Sequence, residues 1–187
     1  MDKIEKVTII GSGPAGYTAA IYAARAGLSP LMISGLEQGG QLMITTDVEN
    51  YPGFENPIQG PWLMDQMKNQ AQAFGTRIKN DFVKEITFEK RPFELITEKE
   101  SINSHSVIIA TGAQAKWLNV KGEKEFMGYG VSACATCDGF FFKGKEVAVI
   151  GGGNTAAEES LFLSNLCEKV YLIHRRNKLR AENILQD

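Results

Sequence analysis

The tightest constraint on this chain is a pair of glycine turns, each set between a β-branched run and a stretch of good helix formers. The first, Gly11-Ser12-Gly13-Pro14-Ala15-Gly16, follows Lys6–Ile10 and opens the Ala-rich segment Pro14–Ala26. The second, Gly151-Gly152-Gly153-Asn154-Thr155-Ala156, follows Glu146–Ile150 and opens Asn154–Leu166. Short apolar runs that stop at glycine read as buried strands, and Leu31–Ile33 and Lys169–Ile173 supply the next strand in each case. Strand, turn, helix, strand is a βαβ unit, which requires a parallel sheet. Gly11 and Gly151 lie 140 residues apart, too far for a solenoid period. The expected architecture is α/β: two Rossmann-like, three-layer units in series, over 1–113 and 114–187.

The intervening sequence fills in the first unit. Glu37–Gly53 is polar and reads as irregular. Pro61–Phe74 carries Trp62, Leu63, Met67, Gln70, Ala71 and Phe74 at helical spacing, a stripe that reads as core. Phe82–Glu89 and Pro92–Glu98 alternate apolar and polar, as an antiparallel ribbon does. Ser106–Ala110 reads as another buried strand, and 113–130 as a connection. From Glu146 only 42 residues remain, enough for one βαβ and the start of a helix, so the second unit is expected to be incomplete.

The spacing of the first turn, G-x-G-x-x-G, suits a dinucleotide. Its first glycine permits the tight turn, its second lets backbone approach a pyrophosphate, and its third lets helix and strand pack closely. The helix N-terminus then presents N–H groups to the phosphates. A purely structural glycine turn is the alternative. The acid expected at the end of the second strand is replaced by Ser34. Glu37, 21 residues beyond Gly16, is either a ribose partner or a solvated loop charge. The second turn is the G-x-G-x-x-A variant. Where an NAD site places an acid, this chain has His174-Arg175-Arg176, with Arg180 beyond. Guanidiniums suit a 2′-phosphate, which points to NADPH rather than NADH. A solvated basic turn is the bland reading.

The third motif is Cys134-Ala135-Thr136-Cys137-Asp138-Gly139. Three cysteines do not make a secreted disulfide framework. Neither an export signal nor a membrane-length apolar run is evident, so the expected compartment is the cytoplasm. There a C-x-x-C pair is redox-active, metal-binding or inert. Zinc needs about four ligands, and only Cys167, His105 and His174 remain to complete a set. Asp138 would raise, not lower, a neighbouring thiol pKa, so it suits a proton donor better than a thiolate activator. A turn aspartate is the equal alternative. Cys167 reads as a core thiol. A net charge of −2 gives no global field for nucleic acid or an anionic membrane.

Two dinucleotide turns with a C-x-x-C between them resemble the bacterial-type, low-molecular-weight thioredoxin reductases. The matching pieces are Gly11–Tyr17, Gly39-Gly40-Gln41-Leu42, Glu49-Asn50-Tyr51-Pro52-Gly53, Ile109–Ala113, Cys134–Gly139, Gly151–Asn154 and His174-Arg175-Arg176. The resemblance implies that Gly11–Gly16, the loop Ser34-Gly35-Leu36-Glu37-Gln38-Gly39-Gly40-Gln41, Asn50, Val83 and Ala110-Thr111-Gly112 hold FAD. It implies that Gly151, Gly153, Asn154, Thr155, His174, Arg175, Arg176 and Arg180 hold NADPH. Hydride would pass from NADPH to the flavin, and two electrons onward to a Cys134–Cys137 disulfide. Cys137 would face the flavin, Cys134 would attack the disulfide of thioredoxin, and Asp138 would serve as the acid. The family works as homodimers whose disulfide-bearing domain rotates, with 113–118 in the hinge. It closes its FAD domain with a later Gly-Asp segment, so these 187 residues read as the N-terminal part of such an enzyme. A sibling flavin disulfide reductase or dithiol oxidase, or an inactive FAD-binding fragment, are the alternatives.

Overall fold

The structure is a computed structural model and describes residues 3–45 and 47–186. Thr46, within the segment read as irregular, lies outside the described residues. The chain forms two compact units, Met1–Gln114 and Ala115–Asp187.

The strands of the first unit are β1 (Ile4–Glu5), β2 (Thr8–Ile10), β3 (Leu31–Ile33), β4 (Asp47–Val48), β5 (Ile58–Gln59), β6 (Arg77–Lys79), β7 (Val83–Thr87), β8 (Phe93–Thr97), β9 (Ser101–Ser104) and β10 (Val107–Ile109). Its helices are α1 (Pro14–Arg25) and α2 (Gly60–Ala73). A parallel sheet runs in the order β10-β2-β3-β6, with Val107, Thr8, Leu31 and Arg77 in register. A second sheet runs β1-β9-β8-β7, antiparallel except for the parallel pair β1–β9. β4 and β5 form a short antiparallel pair.

The segment before the first glycine turn thus feeds two sheets, its first strand lying ahead of the run Lys6–Ile10. β1 joins the ribbon sheet and β2 the parallel sheet, with a bend at Lys6. Every residue of β2 and β3 is buried because both faces of the parallel sheet are covered. On one face Ile9 and Met32 pack with Tyr17, Ala20 and Ile21 of α1 and with Leu63, Met67 and Ala71 of α2. On the other, Ile10, Leu31 and Ile33 meet Leu95 and Ile102 of the ribbon. Thr8 stays polar in this core because its hydroxyl donates to Ser104 Oγ at 2.9 Å, and Ser104 Oγ donates to Ser106 O at 2.8 Å.

The expected ribbon is present as β7–β8, and β9 extends it. The short strands β6 and β9 escape a hydrophobicity reading because Arg-Ile-Lys and Ser-Ile-Asn-Ser each hold one apolar residue. Of the stripe read as core on α2, Trp62, Gln70 and Phe74 are instead exposed. Trp62 lies opposite the buried i, i+4, i+8 row of Leu63, Met67 and Ala71. Phe74 is the cap residue past the last turn and lies under the Arg25 guanidinium, 5.0 Å from the ring centroid.

An ion pair ties the edges of the two sheets together. Buried Glu5 on β1 faces Arg77 on β6, whose Nη1 donates to Oε1 at 2.9 Å and whose Nη2 donates to Oε2 and, at 2.9 Å, to Ser29 O. The Arg77 hydrogen bond holds the Glu5 carboxyl below its ordinary range, against the opposing effect of burial. A depressed folded-state pKa contributes stability above the unfolded pKa and loses it as pH falls through the folded value. Arg77→Met is therefore expected to lower stability by about 2 kcal/mol at pH 7, because a buried carboxylate loses its two charge-assisted hydrogen bonds from the guanidinium and keeps the Lys3 ammonium, 3.4 Å away. The deficit should shrink as pH drops below about 4 and Glu5 becomes neutral in both proteins. Urea unfolding across pH 3–7 measures this, and a pH-independent deficit would contradict it.

The second unit contains α3 (Ala135–Asp138), β11 (Glu146–Ile150), α4 (Asn154–Ser164) and β12 (Lys169–Ile173). β11 and β12 pair in parallel from Glu146–Lys169 to Ile150–Ile173. Ala135, Val149, Ala156 and Leu163 form its core. In the connection that precedes α3, the buried Glu123 carboxylate accepts from Leu118 N at 2.8 Å and Asn119 N at 2.6 Å.

Candidate functional site

In the first unit, strand order decides where a ligand can sit. From β2 the chain moves outward on one side to β3 and β6, then returns on the other side of β2 as β10. The direction of winding reverses between β2 and β10, and open α/β sheets bind ligands beyond the carboxyl ends of the strands at such a reversal. Gly11 and Ala110 follow those two strand ends. Gly11 has φ +107°, and a Cβ there would overlap the Ala110 carbonyl oxygen. Gly16 is equally constrained, since a Cβ would overlap the Gly11 carbonyl oxygen and lie 2.9 Å from its carbon. Gly13 differs, because a Cβ there would meet nothing within 4 Å. The first and third glycines close the turn, while the second faces open space.

The Ser34–Gln41 loop is brought to the same place. The Ser12 hydroxyl, fully enclosed, donates to Ser34 O at 2.7 Å and accepts from Gly39 N at 3.1 Å. Gly40 lies against Gly13, its Cβ position 3.6 Å from Gly13 Cα. Gly35 N donates to Asp81 O at 3.0 Å. Leu36, Glu37, Gln38 and Gln41 are exposed along this loop. Gly13 caps α1 without a side-chain hydrogen bond, and Pro14 occupies the first turn. The first-turn N–H groups of Ala15 and Gly16 therefore have no partner inside the helix. Uncapped amides beside an open glycine fit the diphosphate of FAD. Thr111 and Gly112 follow Ala110 and are exposed. Asn50 is exposed and makes no hydrogen bond to this turn among the described residues, and Val83 begins β7 two residues after Asp81. Asp81 escaped the sequence reading. Its main-chain carbonyl accepts from Gly35 N, its Oδ1 accepts from Phe82 N at 2.8 Å, and its Oδ2 is buried with no hydrogen-bond partner among the described residues. An aspartate just before a strand was the available signal.

The second unit repeats the turn with a difference. Gly151 and Gly153 take the places of the first two motif glycines, and a Cβ at Gly153 would again meet nothing within 4 Å. The additional Gly152 is required by His174, whose ring would overlap a Cβ there. The 174–182 loop folds back onto the turn. Arg180 N and Ala181 N both donate to Gly152 O, at 2.6 and 3.1 Å, and Glu182 N donates to Asn154 Oδ1 at 2.9 Å. The His174 Nε2–H donates to Lys178 O at 3.1 Å. Arg175, Arg176 and Arg180 are exposed on this clamped loop, and Thr155 is exposed at the start of α4. Exposed cations beside a helix start without a side-chain cap fit a phosphorylated nucleotide.

Cys134 and Cys137 form a disulfide, with Cα atoms 5.3 Å apart. It spans α3, for which Cys134 is the cap residue. Cys137 is exposed, and Cys134 and Asp138 are half-buried. Cys134 N donates to Ser132 Oγ at 3.0 Å, and Ala135 N to Glu159 Oε1 at 3.2 Å. Cys167 is free and half-buried, its Sγ 3.4 Å from Phe142 O. Among the described residues no helix is long and apolar enough to cross a membrane.

The pyridine nucleotide-disulphide oxidoreductase family matches residues 5–186. The chain is similar to the thioredoxin reductase of Rickettsia felis, at 59% identity over 97% of the chain and 59% of that protein. It is also similar to that of Vibrio cholerae, at 52% identity over 99% of the chain and 58% of that protein. Among solved structures, thioredoxin reductase from Giardia duodenalis aligns with a TM-score of 0.86 at 45% identity, over 97% of this chain and 59% of that one. The chain therefore spans somewhat under two thirds of the length of the relatives it matches.

Proposed function

The chain belongs to the pyridine nucleotide-disulphide oxidoreductase family, and from that premise we propose that it serves as a thioredoxin-disulfide reductase, taking electrons from NADPH through FAD to Cys134–Cys137 and on to thioredoxin. One observation carries the reading: a disulfide on α3 shares its unit with a glycine turn whose arginine-bearing loop is clamped beside it. In this reading residues 1–113 hold FAD and 114–187 hold NADPH and the disulfide. FAD held by the first unit would supply the two-electron chemistry that links NADPH to the disulfide. The first-turn amides of α1 and the open backbone at Gly13 receive its diphosphate, and Ser12 keeps the Ser34–Gln41 loop against that turn. Arg175, Arg176 and Arg180 receive the 2′-phosphate, while Asn154 holds their loop in place. Reduction breaks the Cys134–Cys137 bond and leaves two thiols. Attack by the Cys134 thiolate on thioredoxin then forms a mixed disulfide, which Cys137 resolves, restoring the original bond and releasing thioredoxin as a dithiol. Asp138 donates the proton that the leaving sulfur needs. The cytoplasm and a homodimer complete the proposal, and both follow from the resemblance.

The visible spectrum of the purified protein, recorded before and after NADPH, tests the reading. A flavin band bleached by NADPH is expected, and bleaching with no thioredoxin reduction would favour a sibling flavin disulfide reductase. Arg176→Ala should weaken NADPH at least tenfold and leave NADH unchanged, because a charge-assisted contact contributes about 1.5–3 kcal/mol. Kd values from nucleotide titration check this, and equal losses for both nucleotides would place Arg176 away from the 2′-phosphate.

A further inference from the structure

Glu159 is the charged side chain from outside α3 that hydrogen-bonds to the disulfide turn among the described residues. It is half-buried on α4, and its Oε1 accepts the Ala135 N–H at 3.2 Å. That N–H belongs to the peptide joining Cys134 to Ala135. The other polar partners of Cys134 are neutral: Ser132 Oγ accepts its N–H at 3.0 Å and Thr136 Oγ1 lies 3.5 Å from its sulfur. Apolar packing also fixes the turn on α4. Ala135 is buried with Ala156 and Leu163, and a Cβ at Gly139 would lie 2.9 Å from Leu163 Cδ2. The helix that starts at the nucleotide turn with Asn154 thus presents a carboxylate to the cysteine turn five residues later.

We propose that Glu159 is a positioning residue for the redox disulfide, which holds the Cys134–Ala135 peptide and keeps the Cys134 thiol protonated once the disulfide is reduced. The proposal rests on the redox reading above. Reduction adds two electrons and two protons, breaks the S–S bond and leaves a thiol on each cysteine, with dithiothreitol as the reductant in the test. A carboxylate fixed on the Cys134–Ala135 peptide, on a turn that already carries the Asp138 carboxylate, disfavours a further negative charge at Cys134, so it opposes the thiolate. Thiolate fraction controls attack on a disulfide or an alkylating reagent. Glu159 would therefore restrain Cys134 until a partner or a proton acceptor arrives.

The experiment reduces the full chain with dithiothreitol, removes the reagent, and follows iodoacetamide alkylation of Cys134 by mass spectrometry from pH 5 to 10. Glu159→Gln keeps an oxygen that can accept the Ala135 N–H but lacks the charge. It should move the profile to lower pH and raise the rate at pH 7 about threefold, the change in thiolate fraction for a pKa lower by half a unit. Glu159→Ala should shift the profile the same way and speed hydrogen exchange at the Ala135 amide. If Glu159→Gln titrates as the parent does, the charge has no role and the inference falls while the redox reading stands. A disulfide that dithiothreitol does not open would overturn both.

Discussion

Gly16→Val is expected to cost the first unit about 3 kcal/mol or more, together with its flavin, because overpacking against fixed atoms has no cheap relief. The new Cβ would overlap the Gly11 carbonyl oxygen and approach its carbon to 2.9 Å. Both atoms are backbone, and they sit where β2 turns into α1. No rotamer change removes the overlap, so β2 and α1 must move apart and the Ile9–Tyr17–Met32 packing opens. Gly13→Val tests the other half of the argument. Its Cβ meets nothing within 4 Å, and at the cap position the backbone is extended, with φ −75° and ψ −177°, which valine tolerates. The Gly13 variant should melt within a few degrees of the parent yet fail to quench the fluorescence of added FAD. Tight FAD binding by the Gly13 variant would show that the diphosphate does not occupy that space. A Gly16 variant with unchanged melting would overturn the structural half.

Cys134→Ser should lower NADPH-driven reduction of thioredoxin by on the order of 1,000-fold or more, as loss of a covalent nucleophile does. Bleaching of the flavin by NADPH should persist, because Cys134 takes part only after that step. Loss of both activities would contradict the assigned order. The two cysteines can also be told apart by trapping. Cys137→Ser leaves Cys134 free to attack thioredoxin but removes the thiol that resolves the mixed disulfide, so a covalent adduct should accumulate. Cys137 is the more exposed of the two in the oxidised turn. Adduct formation by the Cys134→Ser variant instead would exchange their roles.

Much of this was legible in the sequence because the governing rules are local. The glycine turns announce themselves by spacing. The expectation that the short apolar runs are buried holds for β2 and β3, but β10 lies at the edge of its sheet and β11 and β12 form a sheet of two strands, so most of their residues are exposed. The structure pairs β2 with β3 and β11 with β12 in parallel, as strand–turn–helix–strand order requires. Helix limits differ from the expected ones by a residue or two, as frayed ends do: α1 stops at Arg25 rather than Ala26, and α4 at Ser164 rather than Leu166. Strands β6 and β9 were invisible because their stability comes from ladder pairing with neighbours, and their side chains carry little hydrophobic signal.

Sequence by itself determined that this chain builds two βαβ units, that each carries a glycine turn at the spacing that suits a dinucleotide, and that a C-x-x-C lies between them. Local spacing suffices for each of these. Only the tertiary structure decided that β10 returns beside β2, which creates the reversal where Gly11 meets Ala110. It alone joined Ser12 to Ser34 and Gly39, Glu5 to Arg77, Asn154 to Glu182, and Ala135 to Glu159. These pairs lie 22 to 72 residues apart, and nothing in the spacing of a serine, a glutamate or an asparagine names its partner. A hydrogen bond has a range of about 3 Å, so such partners are chosen by whichever residue the packed layers bring within reach.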